Sequence, residues 1–185
     1  ALKWAPGRTP FFMSFLNVIT HHPYGAPADY KSPFEGNDNI DKYKTSIHFT
    51  DSVLASMTEA LKSMGIARDT LLIVTGDHGE AFGEHHAGNL LHKNYLYEEN
   101  IRNFLMIIDL SEEIDPVLVP VRGATADILP TVLDIQGIRA DDGVLGQSLL
   151  SPSYRERIAF FHKNAEPEKW GLRDGQWKFI VDRID

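Results

Sequence analysis

Leu71-Leu72-Ile73-Val74-Thr75-Gly76-Asp77-His78-Gly79 is the stretch that decides the fold class. Its first five residues run apolar or β-branched without alternation, the pattern of a strand covered on both faces. Gly76 breaks the run, and two side chains with metal-binding chemistry follow at once. In open α/β sheets, ligands bind just beyond the carboxyl ends of the strands. Asp77 and His78 stand in that place with a hard anionic oxygen and an imidazole nitrogen, both common metal ligands. Gly76 and Gly79 permit a tight turn that would let adjacent side chains converge on one ion. The same dipeptide also reads as a turn aspartate beside an exposed histidine. Taken alone it favours that plainer reading, because short motifs often match by chance.

Working outward, Ile40 to Met64 carries Tyr43, Ile47, Val53 or Leu54, Met57, Leu61 and Met64 at helical spacing, with Gly65 as a C-cap. Pro10 to Ile19 (PFFMSFLNVI) is a compact aromatic and β-branched run that predicts a buried strand. It ends in Thr20-His21-His22-Pro23-Tyr24-Gly25, and residues 25 to 39 are turn-rich enough to read as a long surface loop. On the other side, residues 79 to 95 are polar and predict a long functional loop. Phe104 to Ile108 predicts a further buried strand. Thr125 to Gln136 predicts a helix closed by Gly137, its start blurred by Pro130. Ile158 to Phe161 and Trp177 to Val181 read as strands near the end. The order strand, helix, strand, loop, strand, helix is that of an α/β protein. It implies an α/β/α sandwich with a mainly parallel sheet.

Bulk composition narrows the function. With 185 residues, 43% of them hydrophobic, the chain can build a core. A net charge of -8 argues against broad binding of a nucleic-acid backbone, although one metal ion can reverse the local field for an anionic small substrate. The absence of cysteine removes disulfides, thiolate metal sites and a cysteine nucleophile within this chain. No apolar run is long enough to span a bilayer. The start, Ala1-Leu2-Lys3-Trp4-Ala5-Pro6-Gly7, has neither an initiator Met nor a signal-peptide pattern, and it reads either as a fragment or as a mature N-terminus.

Two more groups have usable chemistry. His21 or His22, after the first apolar run, could protonate a leaving-group oxygen or bind an anionic one, or be plain loop histidines. Four of the eight histidines lie between residues 78 and 92, a clustering that scattered surface placement would seldom give. Lys93 could hold an anionic substrate oxygen as a point charge, or be a solvated helix-face charge. Glu98, Glu99 and Arg102 read as structural, orienting the loop through charged hydrogen bonds.

Together these segments resemble the sulfatase family of the alkaline-phosphatase superfamily, from about Pro10 to Val181. Phe15 to Tyr24 is similar to that family's strand ending in a His-x-Pro motif, with His21 at the motif's histidine. Gly76-Asp77-His78-Gly79-Glu80-Ala81-Phe82-Gly83-Glu84-His85 is close to its most recognisable signature. Lys93 through Arg102 (KNYLYEENIR) is similar to its lysine loop and Tyr-Glu-Glu helix start. Asp127 to Gly137 and Gly143 to Leu149 resemble the segment before its C-terminal subdomain, and Leu172 to Phe179 the first hairpin of that subdomain.

The resemblance implies an alkaline-phosphatase-like fold, with residues 1–157 as the C-terminal half of a catalytic domain and 158–185 as the start of a small subdomain. It implies a sulfuric ester hydrolase in which Asp77 and His78 bind one divalent cation, Ca2+ first, then Mn2+ or Mg2+. His21 and Lys93 would bind the sulfate or phosphate group and assist the leaving group; His92 is a second candidate, and His85 a weaker one behind the first shell of ligands. The family's nucleophile is a Cys or Ser that becomes formylglycine, or a Thr in the lipoteichoic-acid-synthase-like branch. It lies upstream with the remaining acidic ligands, and none of these is found here. Two ligands leave a divalent ion underbound, so this chain alone is expected to be inactive and to bind metal weakly. Its partners would then be an anionic ester substrate and a missing N-terminal half, in a periplasmic, secreted or membrane-anchored extracytoplasmic protein. Phosphoglycerol or phosphoethanolamine transfer, phosphonate or phosphodiester hydrolysis, and a non-catalytic domain retaining the fold are the competing readings.

Overall fold

The helix predicted from Ile40 forms as α1, Asn39–Ser63. The computed structural model that shows it describes residues 10–111 and 115–182. The opening stretch read above and the last three residues lie outside that range. Asp38 caps α1 by accepting a 2.8 Å hydrogen bond from the Asp41 N–H, satisfying one of the first turn's unpaired donors. At the other end Gly65, at φ +71°, donates to Lys62 O while the Ile66 N–H reaches Leu61 O. This paired closure needs a left-handed residue, and glycine adopts it without steric cost.

The chain divides into two compact units, 1–66 and 67–185. In the first unit, the loop before α1 packs on the helix face holding Tyr43, Ser46, Phe49 and Thr50. Tyr24 meets Tyr43 edge-on at 5.4 Å, Tyr30 meets Phe49 at 5.0 Å, and Asn17 Nδ2 donates to Thr50 Oγ1 at 2.7 Å. Ile47 and Met64, expected on the apolar face, are exposed. The predicted strand over Pro10 to Ile19 is absent: these residues pair with no strand among the described residues, and Phe12, Leu16 and Val18 are open to solvent. Apolar composition makes a strand possible, but a ladder partner makes it a strand.

In the second unit the decisive stretch forms β1, Leu71–Thr75, half-buried rather than fully covered. Its partner is β2, Leu105–Asp109, and the pairing is antiparallel, Leu71 opposite Asp109 and Thr75 opposite Leu105. Between them lies the one-turn helix α2, Glu98–Ile101. A 3-10 turn, Thr125–Asp127, leads into α3, Ile128–Ile135. Pro130 is accommodated because a first-turn residue has no intrahelical N–H bond to lose. β3 (Ala159–Lys163), β4 (Lys169–Asp174) and β5 (Trp177–Asp182) form an antiparallel meander. The described residues thus hold no parallel strand pair, contrary to the mainly parallel sheet expected from element order. Two strands joined through a long loop and a one-turn helix can pair antiparallel, and element order alone does not see that direction.

The meander has two unlike faces. Phe161, Gly171 and Ile180 share the covered face, where Leu96 packs so tightly that a Cβ on Gly171 would stand 3.1 Å from its Cδ1. Lys178 on that face donates to Leu96 O at 2.9 Å and pairs with Glu98 at 2.7 Å. Phe160, Trp170, Trp177, Phe179 and Val181 stand on the other face and are exposed. Behind α3, Asp127 is fully buried and accepts from the N–H groups of Ala124 and Gln147, from Tyr154 Oη, and from Arg157 in a short ion pair.

Candidate functional site

The turn after β1 is held by Asn103. Its side-chain amide accepts from the Gly76 N–H at 3.0 Å and donates to Gly76 O, standing in for a rung of the β ladder. Three residues on, the Gly79 N–H donates to Asn100 O at 2.9 Å. A Cβ on Gly79 would lie 2.3 Å from Glu99 O and 2.8 Å from Arg102 O, so only glycine lets the turn press against α2.

Asp77 and His78 project from this pinned turn. The His78 Nδ1 lies 2.8 Å from Gly79 O. A carbonyl only accepts, so Nδ1 carries the proton, and in the neutral ring Nε2 keeps its lone pair. That Nε2 is 3.6 Å from Asp77 Oδ1. Two donors each about 2.1–2.4 Å from one ion reach that separation at an angle of roughly 100–120°. The pair therefore fits a divalent cation, with the backbone carbonyl fixing the tautomer from behind. It is a partial shell: no group of three or more His, Asp or Glu able to hold a metal is assembled among the described residues.

The loop that follows closes on itself. Phe82 and Leu90 form an antiparallel bridge, and the Leu91 N–H donates to Ala81 O at 2.8 Å. Asn89 and Asn100, both buried, clamp it to α2: Asn89 Nδ2 donates to Asn100 Oδ1 at 2.8 Å and to Glu99 Oε1 at 2.9 Å. Glu99 also takes His86 Nδ1 at 2.6 Å. Burial pushes the Glu99 carboxyl up, but its own backbone N–H, His86 and Asn89 outweigh that and hold it at about 2. Burial likewise raises Glu98, and Lys178, Arg173 and Arg122 bring it below the usual range. Glu99 orients the loop, as the sequence reading expected, whereas Glu98 pairs with Arg173 and Lys178 of the meander. A ring stack, His86 on Tyr97 at 4.0 Å and Tyr97 on Tyr95 at 4.8 Å, stiffens the same segment.

Loop closure brings His92 back to the strand end. Its ring stacks on His78 with centroids 4.1 Å apart and planes 29° off parallel, and its Nδ1 lies 3.2 Å from Glu80 Oε2. Asp77, His78 and His92 are thus gathered at one place. Lys93, next in the chain, is exposed and forms no ion pair among the described residues. His85 is exposed. His21 belongs to the first unit, where with Val18, Ile19, His22, Pro23 and Gly25 it lines an open pocket of about 530 Å³. Its Nδ1 lies 2.7 Å from His22 O. Sequence reasoning passed over Glu80, which sat inside the signature as one more polar loop residue. Only its burial, invisible in composition, sets it apart.

The family model for sulfatases matches residues 1–138. This chain belongs to the sulfatase family. Arylsulfatase K from Mus musculus is 32% identical over 189 residues, covering 90% of this chain and 34% of the relative. The ulvan-active sulfatase of Formosa agariphila is 25% identical, over 80% of this chain and 32% of the relative. The lipoteichoic acid synthase-like YvgJ of Bacillus subtilis is 24% identical, over 77% and 25%. The solved structure of BT4656 in complex with its substrate D-glucosamine-2-N,6-O-disulfate aligns with a TM-score of 0.56 at 22% identity, over 78% of this chain and 33% of that one. The fold is therefore that of a sulfatase. The chain spans about a third of the length of the curated relatives it matches. No helix among the described residues is long and apolar enough to cross a membrane.

Proposed function

We propose that this chain is the C-terminal half of the catalytic domain of a metal-dependent sulfate ester hydrolase, with residues 158–185 opening its small subdomain. In the whole domain β1 would join a mainly parallel sheet flanked by helices. The observation that carries the reading is the pair Asp77 Oδ1 and His78 Nε2, 3.6 Å apart at a strand end, with the imidazole lone pair left available by the Gly79 carbonyl. These two residues would hold one divalent cation, Ca2+ first among the candidates, beside acidic ligands from an upstream segment. When bound, the cation would draw charge from the ester's non-bridging oxygens and activate the upstream nucleophile. His21 and Lys93 would bind the oxygens of the transferred group and stabilise the leaving oxygen, with His92 as the second candidate for that task. An extracytoplasmic location accords with this reading.

The test is Asp77→Ala in the full-length protein, with metal content measured by mass spectrometry and turnover followed on 4-nitrophenyl sulfate. Metal content and turnover should both collapse; if both stay at wild-type levels, Asp77 has no part in the site. The similarity to lipoteichoic acid synthase-like relatives supports a second reading, transfer or hydrolysis of phosphate esters. Faster turnover of bis(4-nitrophenyl) phosphate than of the sulfate would favour it, as would a threonine nucleophile upstream. A full-length protein that binds no divalent cation would point instead to a non-catalytic domain.

A further inference from the structure

We infer that Glu80 is a positioning residue that sets the tautomer and ring orientation of His92 over His78. The register of the closed loop produces the contact. Phe82 faces Leu90 and Ala81 meets Leu91, so the next pair outward on this antiparallel ladder is Glu80 with His92. The Glu80 side chain is only 6% exposed. Its Oε2 lies 3.2 Å from His92 Nδ1, and its Oε1 is buried without a hydrogen-bond partner.

That arrangement is costly. A buried carboxylate normally collects several donors, as Glu99 does here. Glu80 directs its one hydrogen bond among the described residues to an imidazole, and that imidazole stacks at 4.1 Å on the candidate metal ligand. A carboxylate on Nδ1 makes Nδ1 the donor, so Nε2 becomes the nitrogen turned away from Glu80. The ring is then fixed in plane by the hydrogen bond and in tilt by the stack. A loop-closing role would not require an imidazole partner, since the Phe82–Leu90 bridge and the Asn89–Asn100 clamp already close the loop.

The functional consequence rests on the proposed reading of Asp77, His78 and His92; the orientation of His92 does not. The experiment uses full-length protein labelled with 15N-histidine at pH 8, with Glu80→Ala, Glu80→Gln, His92→Ala and the Glu80→Ala/His92→Ala double variant. The His92 signal, assigned by its loss in His92→Ala, should show a protonated Nδ1. It should persist in Glu80→Gln, whose amide oxygen still accepts, and revert to the Nε2–H form favoured in water in Glu80→Ala. On 4-nitrophenyl sulfate, kcat should fall about 10–100-fold in Glu80→Ala, with KM changed less than about 3-fold, and recover in Glu80→Gln. The double variant should be no slower than His92→Ala alone. If Glu80→Ala does not fold, Glu80→Asp, one methylene shorter, replaces it. A wild-type His92 signal in the Ala or Asp variant would overturn the inference, as would losses that multiply in the double variant. A His92 that follows Glu80 in the spectra of a protein that takes up no divalent cation when Ca2+, Mn2+ or Mg2+ is added would sustain the positioning and refute the metal site.

Discussion

Replacing Glu99 with glutamine in the full-length protein should remove a pH-dependent share of stability that can be worked out in advance. The Glu99 carboxylate is 8% exposed and accepts from His86 at 2.6 Å and from Asn89 at 2.9 Å. Burial opposes its ionisation, yet its own N–H and these two donors bring it from 4.5 to about 2. The difference of about 2.5 units corresponds to up to about 3 kcal/mol. Because the folded-state value lies below the unfolded one, the contribution is full above about pH 4.5 and lost as pH falls through about 2. Urea unfolding of wild type and variant at pH 6, 4 and 3 measures it, since other carboxylates titrate alike in both. The wild-type advantage should be about 3 kcal/mol at pH 6 and about half that at pH 3. An advantage that stays flat from pH 6 to pH 3 would refute the reasoning, because it would mean that Glu99 stabilises through shape and not through charge.

Other substitutions follow from the same geometry. Asp127→Ala takes the acceptor away from the N–H groups of Ala124 and Gln147 and strands the half-exposed Arg157; urea unfolding should show a loss of about 2–4 kcal/mol. Burial and then the Asp127 charge raise Tyr154, so ultraviolet titration of the same variant should find that tyrosine ionising at lower pH than in wild type. Gly79→Ala places a methyl against the backbone of Glu99 and Arg102, and should cost about 1–3 kcal/mol and weaken divalent-cation uptake in calorimetry. Gly25→Ala, with nothing within 4 Å, should change neither by more than about 0.5 kcal/mol.

Local signals were legible where local physics decides. The reach of α1, its Gly65 closure and the end of α3 at Gly137 follow from spacing and cap chemistry within a few residues. Strand positions at Leu71, Leu105, Ala159 and Trp177 followed from apolar runs, but the direction of pairing did not, because it depends on residues distant in sequence. Pro10 to Ile19 shows the same limit, an apolar run whose partner is not among the described residues. Near the candidate site, the clustered histidines pointed to the loop that folds back to the end of β1. They could not distinguish His92, folded back onto His78, from His85 in solvent, since only the Phe82–Leu90 bridge decides which histidine returns.

The alternation along β5 bears on how this segment can change over generations. Exposed Trp177, Phe179 and Val181 interleave with Lys178 and Ile180, and a two-residue turn, Gly175-Gln176, sets the phase. Exchanging one exposed side chain for another alters one spot on one face. Adding or removing a single residue at the turn would exchange the two faces of the whole strand, pulling Lys178 off Glu98 and Leu96 and driving Trp177 and Phe179 against the covered side. Descendants of this sequence are therefore free to drift in letters along the exposed face, while the length of the turn is closely held.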